Sequence, residues 1–137
     1  MLGEFFEALY ADGEFCRELG RAVLASGELE SALKEHVERA GSSASLIRKA
    51  TLGRLTRLAK QDDLASSQFV AALEVVTMQR NYLAHNLFEL YTGRIEETLL
   101  ARDLSVDEVD ELTYRASQLA EELRYFASLV REGRVDT

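Results

Sequence analysis

No proline occurs in the 137 residues of this chain. Proline interrupts helices and shapes tight turns more strongly than any other residue, so its absence over this length favours a chain that is helical throughout. Hydrophobic residues make up 47% of the sequence and charged residues 29%, the balance of a globular protein and not of a disordered one. A chain of this length can bury one core, and we therefore expect a single domain over residues 1–137.

The first third of the chain has the hydrophobic pattern of helices with two weak points. Apolar residues at helical spacing predict a helix over residues 2 to 11. Glycine lowers helix stability, so Asp12-Gly13 and Ser26-Gly27 predict breaks or kinks in the pattern that follows. Residues 28 to 40 then predict a polar helix, in which His36 is expected to be solvated.

The rest of the chain predicts a basic helix and two long ones. "GSSAS" at 41 to 45 is a loop whose serines can cap a basic helix that runs from about 46 to Lys60. One long helix is predicted from about 64 to 91, and a second begins after the capping-box sequence "SVDE" at Ser105. The tail "REGRVDT" is expected to be frayed.

No segment alternates strongly enough to predict a strand. The pattern therefore predicts an all-α fold, an antiparallel bundle of four to five helices of which two are long.

The number of cysteines and the length of the apolar stretches indicate the cellular compartment in which we expect the protein. A single cysteine, Cys16, cannot form an internal disulfide, which fits a reducing cytosol, and we expect a half-buried structural thiol. The N-terminus has no basic leader before an apolar run, and no apolar stretch approaches the roughly 20 residues that span a bilayer. We therefore expect a soluble, cytoplasmic protein without a membrane partner.

The charge distribution is uneven along the chain. The net charge of −8 argues against a nucleic-acid partner, because an acidic surface repels phosphate. Residues 46 to 60 nevertheless contain five basic residues and no acidic one: Arg48, Lys49, Arg54, Arg57 and Lys60. Such a run can be a solvated helix face, or it can attract an anionic ligand, and in that case these five residues would bind RNA.

The stretch "QRNYLAHNLFELY" at 79 to 91 places polar groups in an apolar context. Arg80 occupies a stripe that steps by three and four residues through Phe69, Leu73, Val76, Arg80, Leu83, Leu87 and Leu90. A buried guanidinium without a partner costs several kcal/mol. His85 lies on a second stripe with Ala71, Val75, Met78, Tyr82 and Phe88, about 140° from the first, which predicts little solvent-facing surface on this helix.

Arg80, Asn81 and His85 suit phosphodiester chemistry. An imidazole can take or give a proton at neutral pH, and a guanidinium can hold two phosphate oxygens at once. In RNA the ribose 2′-OH is an internal nucleophile, so a base and a phosphate clamp are sufficient. The sequence has no Cys/His cluster, HExxH pattern, paired-carboxylate pattern or glycine-rich phosphate loop, so we expect neither a metal nor another cofactor.

"RNYLAH" resembles the signature of the HEPN superfamily, in which an arginine and a polar residue precede a histidine by four to six positions. HEPN domains are compact helical bundles that generally dimerise, and many are metal-independent endoribonucleases with a shared cleft at the dimer interface. The resemblance implies that Arg80 clamps phosphate, His85 acts as base or acid, and Asn81 orients His85 or contacts the RNA backbone. It also implies a homodimer, and a toxin or defence role with a cognate antitoxin or regulatory protein.

One position departs from the family pattern. HEPN toxins that are paired with a nucleotidyltransferase antitoxin typically carry a tyrosine two residues after the histidine, where the partner attaches adenylate. Here that position is Leu87, and Tyr91 is out of place. Regulation by that modification is therefore not expected.

Each of the three residues also has a structural interpretation. Arg80 can form a buried ion pair with a glutamate from the first or last helix, which would hold the bundle in register. His85 can bond to a backbone carbonyl, and Asn81 can satisfy a neighbouring helix end. The competing function is then a non-catalytic dimeric adaptor or regulator that binds protein, which the acidic composition favours. A helix-turn-helix DNA binder is a third alternative, which the net charge opposes.

Overall fold

A computed structural model of the chain describes residues 2–41, 47–83 and 108–136, with side chains from Phe6 onward in the first range. These ranges contain five helices and no strand: α1 (Leu2–Ala11), α2 (Gly13–Arg39), α3 (Leu52–Gln61), α4 (Ser67–Asn81) and α5 (Glu108–Arg131). The predicted all-α bundle with two long helices is confirmed. One long helix is α5 with 24 residues, as predicted, and the other is α2 with 27 residues, which the sequence predicts to be interrupted; the helix predicted from about 64 begins at Ser67, and its α-helical part ends at Asn81. In this part of the chain no helix is long and apolar enough to cross a membrane.

The first predicted break is confirmed and the second is wrong. Asp12 separates α1 from α2 and caps α2, because its carboxylate accepts a hydrogen bond from the N–H of Phe15 at 2.7 Å. At Ser26-Gly27 the helix continues without interruption. Ser26 is buried there, and packing of this face against the bundle outweighs the low helix propensity of one glycine.

The basic segment is not one helix from residue 46. Its helix begins at Leu52, after the N-cap Thr51, whose hydroxyl accepts a hydrogen bond from the N–H of Arg54. The carboxylate of Glu30 on α2 accepts a further hydrogen bond from the N–H of Leu52 at 2.9 Å. These two side chains satisfy N–H groups that a helix start leaves open, and they determine where α3 begins.

The core is formed by the facing sides of α2, α3, α4 and α5. Its largest fully buried side chains are Leu29, Leu33, Val37, Leu52, Leu55, Leu73, Val76, Leu112, Leu123 and Val130. These positions recur at three- and four-residue steps, as the hydrophobic pattern predicts.

The helix directions are mixed. α4 runs antiparallel to α5, because Phe69 packs against Phe126 at 5.6 Å between ring centroids while the N–H of Ser66 donates to the carbonyl of Val135. α2 and α5 instead run parallel, since Glu18 shares a groove with Ser117 near the starts of the two helices and Glu28 binds Arg131 near the end of α5. α2 and α5 can pack parallel because they are not consecutive in the chain. α4 lies between them in sequence and runs in the opposite direction to α5.

The tail after α5 is ordered through residue 136, so the expectation of fraying is wrong there. Gly133 has a φ of +74°, its N–H donates to the carbonyl of Val130, and the N–H of Arg134 donates to the carbonyl of Leu129 at 2.8 Å. These bonds form a Schellman motif, and Val135 then packs into the core.

Two side chains lie elsewhere than the sequence predicts. His36 is not simply solvated, because its Nε2–H donates to the carbonyl of Leu64 at 2.8 Å in a partly buried position. Cys16 is exposed and not half-buried. Both residues lie on α2, so their surroundings depend on which elements pack against that helix.

Candidate functional site

α4 carries the first half of the motif on a helix whose inner face is part of the core. Phe69, Leu73 and Val76 are buried, and Leu83 is buried just beyond the helix end. Arg80 continues this stripe as a half-buried residue whose Nε atom is shielded from solvent. The predicted intrusion of a guanidinium into the apolar stripe is therefore present in the structure.

The second stripe of α4 faces solvent. Ala71 is exposed, Val75 is 50% exposed and Met78 is 65% exposed. The expectation that this helix has little solvent-facing surface is therefore wrong for residues 71 to 78, because the buried side chains of α4 (Phe69, Val70, Leu73, Val76 and Thr77) lie on its other side. We call Ala71, Val75 and Met78 the outer strip of α4.

The α-helix changes to a wider π-helical turn where α4 ends. Asn81 is the last residue of the α-helix, and Tyr82 and Leu83 follow in a π-helical turn. Such turns inside or at the ends of α-helices are frequent at functional sites. The widened turn directly follows Arg80 and Asn81.

An open groove of about 350 Å³ lies between α3 and α4. We call it the α3–α4 groove, and it is lined by Gly53, Thr56, Arg57, Lys60, Glu74, Thr77, Met78 and Asn81. It brings Asn81, predicted from the motif, together with Arg57 and Lys60, predicted from the basic segment. These residues are distant in sequence and meet because α3 and α4 pack antiparallel.

The charges in the α3–α4 groove are only partly compensated. Lys60 Nζ lies 3.8 Å from Glu74 Oε2, and both side chains are more than half exposed, so this ion pair is weak. Arg57 forms no ion pair or hydrogen bond with any residue that the structure describes. The groove therefore offers a guanidinium, an ammonium and an amide to an anionic ligand.

Thr77 lies in the α3–α4 groove and was not predicted from the sequence. It is 7% exposed, and its hydroxyl is buried without a hydrogen-bond partner in the described part of the chain. Thr56 across the groove differs, because its hydroxyl donates to the carbonyl of Leu52 at 2.9 Å. The spacing of Glu74, Thr77 and Asn81 on one helical face could have revealed this set, but its partner helix could not be read from spacing.

The remaining predicted residues do not line the α3–α4 groove. Arg54 is exposed elsewhere on α3, and Arg48 and Lys49 are exposed in the turn before it. The backbone carbonyl of Arg48 accepts a hydrogen bond from Lys34 Nζ at 2.9 Å. His85 lies outside the described residues, as do Leu87, Tyr91 and the predicted cap at Ser105.

A metal centre is not evident among the residues that the structure describes, which contain no group of three or more His, Cys, Asp or Glu side chains placed to hold an ion.

The fold and the groove together define an all-α bundle with basic and polar hydrogen-bond donors between α3 and α4. Among models of protein families, curated proteins and solved structures, none matches the chain.

Proposed function

We propose that this protein is a HEPN-like, metal-independent endoribonuclease that cleaves RNA by attack of the 2′-OH. The observation that carries the proposal is the position of Asn81, which lines the same groove as Arg57 and Lys60. A strand that follows the basic wall of the α3–α4 groove would be led to the end of α4. Arg80 and Asn81 lie at that end, in the motif that resembles the HEPN signature.

The chemistry needs a proton acceptor, a proton donor and a group that holds the phosphate. In the proposed reaction His85 takes the proton of the 2′-OH, whose oxygen forms a bond to phosphorus. The bond from phosphorus to the 5′-oxygen breaks, and that oxygen receives a proton from a general acid. Arg80 stabilises the negative charge that builds on the phosphate oxygens, and the products are a 2′,3′-cyclic phosphate and a 5′-hydroxyl.

The π-helical turn supports a joint role for Arg80 and His85. In an α-helix, residues five apart point in different directions, whereas the i→i+5 bonding of a π-turn brings such positions nearer to one face. Tyr82 and Leu83, between the two residues in sequence, adopt this turn. A continued turn of this kind would bring an arginine and a histidine five residues apart near one face of the helix.

Cleavage of a labelled single-stranded RNA in the presence of EDTA tests the proposal. We expect products with cyclic phosphate ends, detected by mass spectrometry, and loss of cleavage in folded His85→Ala and Arg80→Ala variants. Arg17→Ala removes an exposed guanidinium on α2 and serves as the control. Unchanged cleavage by a folded His85→Ala variant would exclude this mechanism.

The proposal includes a homodimer and a cytoplasmic toxin or defence role with a cognate antitoxin or regulatory protein. Both come from the family resemblance. Sedimentation equilibrium of the purified protein tests the dimer. A sedimenting mass of one chain over the full concentration range of the cleavage assay would remove the dimer from the proposal.

A second candidate function is a non-catalytic adaptor that binds protein. The outer strip of α4 favours it, because the exposed apolar side chains of Val75 and Met78 are typical of interaction surfaces. The net charge of −8 also favours a protein partner over RNA. In this case a pure preparation leaves RNA intact, while Arg80→Ala lowers the melting temperature sharply.

A further inference from the structure

The α3–α4 groove contains hydrogen-bond donors that no residue in the described part of the chain accepts from. The hydroxyl of Thr77 is buried and has no partner in the described part of the chain, and Arg57 and Asn81 make no side-chain hydrogen bond there either. Buried polar groups in folded proteins are nearly always satisfied, so a buried hydroxyl without a partner among the described residues, on a residue that lines the same groove as Arg57, is a candidate donor to a ligand. The acceptor that suits a hydroxyl, an amide and a guanidinium together is an oxyanion.

The shape of the groove leaves room for such a group. Residue 53 is glycine, and a Cβ built there would lie 3.9 Å from Cγ2 of Thr77, in ordinary contact. The missing side chain therefore keeps this part of the groove open next to Thr77. A larger side chain at position 53 would extend from a Cβ that already touches Thr77.

We propose that the α3–α4 groove is a phosphate subsite for single-stranded RNA, separate from the cleavage residues Arg80 and His85. Arg57, Thr77 and Asn81 donate to the oxygens of one backbone phosphodiester. This inference rests on the proposed function for the identity of the ligand. It adds a binding role for Thr77, and it assigns to Glu74 an effect that lowers the affinity for phosphate; the HEPN motif includes neither residue.

Glu74 determines how many positive charges the subsite offers. Its carboxylate holds Lys60 at 3.8 Å and places one negative charge in the groove. A phosphodiester that binds Lys60 competes with this carboxylate, and the two anions repel each other. Replacing Glu74 by glutamine keeps the shape of the side chain, removes the repulsion and leaves Lys60 available.

RNA binding in a His85→Ala background separates binding from cleavage. Fluorescence anisotropy with a single-stranded RNA of about ten nucleotides, titrated at several salt concentrations, gives both the affinity and its salt dependence. In this background we expect Arg57→Ala to weaken binding roughly tenfold or more, and to lower the salt slope by about 0.7. Glu74→Gln is expected to strengthen binding by roughly two- to fivefold.

Thr77→Val isolates the hydroxyl, since valine has almost the same shape. We expect weaker binding at an unchanged or higher melting temperature, which a purely structural role of Thr77 would not produce. Gly53→Leu is expected to weaken binding by filling the groove. Arg17→Ala, on the exposed surface of α2, is the control for loss of a positive charge.

The outcomes distinguish this inference from the proposed function. If the wild type cleaves RNA but folded Arg57→Ala, Thr77→Val and Glu74→Gln variants bind it as the His85→Ala parent does, the subsite is excluded and the nuclease proposal stands. If the groove variants change binding as expected while the wild type does not cleave, the subsite stands and the nuclease proposal fails. If Arg17→Ala weakened RNA binding as much as Arg57→Ala does, the loss would reflect only the change in net charge, and the subsite would be excluded.

Discussion

The imidazole of His36 donates its Nε2 hydrogen to the carbonyl oxygen of Leu64 at 2.8 Å. This bond joins α2 to the turn between α3 and α4. The N–H of the same Leu64 donates to the carbonyl of Ala59, which closes the end of α3. His36 therefore holds the α3–α4 pair, and with it the α3–α4 groove, on the longest helix that the structure describes.

Replacing His36 by alanine should lower the stability of the whole domain. The carbonyl of Leu64 would lose its side-chain donor in a partly buried position, which we expect to reduce the free energy of unfolding by about 1–3 kcal/mol. Urea denaturation followed by circular dichroism measures this change. Glu38→Ala, at an exposed position two residues away, should change stability by less than about 0.5 kcal/mol. Equal effects of the two substitutions would contradict the assigned role of His36.

Gly27→Ala should stabilise the protein. Gly27 lies inside the continuous helix α2, and a Cβ there would meet nothing within 4 Å. Alanine is favoured over glycine in a helix by about 1 kcal/mol, and we expect a gain of this size in the free energy of unfolding. Thermal denaturation measures it as a higher Tm. A lower Tm would mean that the helix does break at Ser26-Gly27.

Asp63 and Gly133, left-handed positions after the ends of α3 and α5, should respond in opposite ways to changes of side chain. Asp63 has a φ of +53° and Gly133 a φ of +74°. Asp63→Gly is expected to raise the unfolding free energy by roughly 0.5–1 kcal/mol, and Gly133→Ala to lower it by about 1 kcal/mol. Chemical denaturation of both variants provides the comparison. Two shifts of the same sign would contradict the assignment of these residues as left-handed caps.

Thr77 and Thr56 provide a matched pair for the cost of a buried hydroxyl. The Thr77 hydroxyl has no partner among the described residues, whereas the Thr56 hydroxyl donates to the carbonyl of Leu52. Thr77→Val should therefore stabilise the free protein by roughly 1 kcal/mol, and Thr56→Val should destabilise it by about 0.5–1.5 kcal/mol. Denaturation curves in the absence of RNA test both. A destabilised Thr77→Val variant would show that the hydroxyl is part of the fold.

Glu28 links α2 to α5 through two arginines. Its Oε1 accepts from Arg124 Nε at 3.2 Å, and its Oε2 accepts from both terminal nitrogens of Arg131 at 3.2 Å. Since both arginines are largely exposed, we expect Glu28→Ala to cost only about 1 kcal/mol, a loss that shrinks at high salt. Glu121→Ala is the control at an exposed position on α5. A loss that does not depend on salt would rule out an electrostatic origin.

Several features of the fold follow from patterns that are local in sequence. The absence of proline and the three- and four-residue hydrophobic steps predict helices because each helix must bury one face. The break at Asp12-Gly13 is predictable because aspartate caps a helix with its own side chain. The intrusion of Arg80 between Val76 and Leu83 is predictable from the same spacing.

Other features depend on contacts between residues far apart in the chain. The same Ser-Gly dipeptide that predicts a break lies inside α2, because burial of Ser26 and its neighbours outweighs the propensity of Gly27. The start of α3 depends on Glu30, and the tail after α5 is held by Ser66. None of these partners can be identified from local spacing.

The candidate site also combines features that local sequence predicts with features that depend on contacts between distant residues. Sequence alone determined that this protein is helical and that Arg80, Asn81 and a basic segment are present, because helix formation and chemical identity depend on near neighbours. Tertiary structure alone decided that α2 and α5 run parallel, and that Arg57 and Lys60 share a groove with Asn81. It also decided that Thr77 lies there with a hydroxyl that has no partner between residues 47 and 83 or in the other described ranges. The physical reason is that burial depends on which helix faces are pressed together, and many pairings are compatible with the same amphipathic pattern.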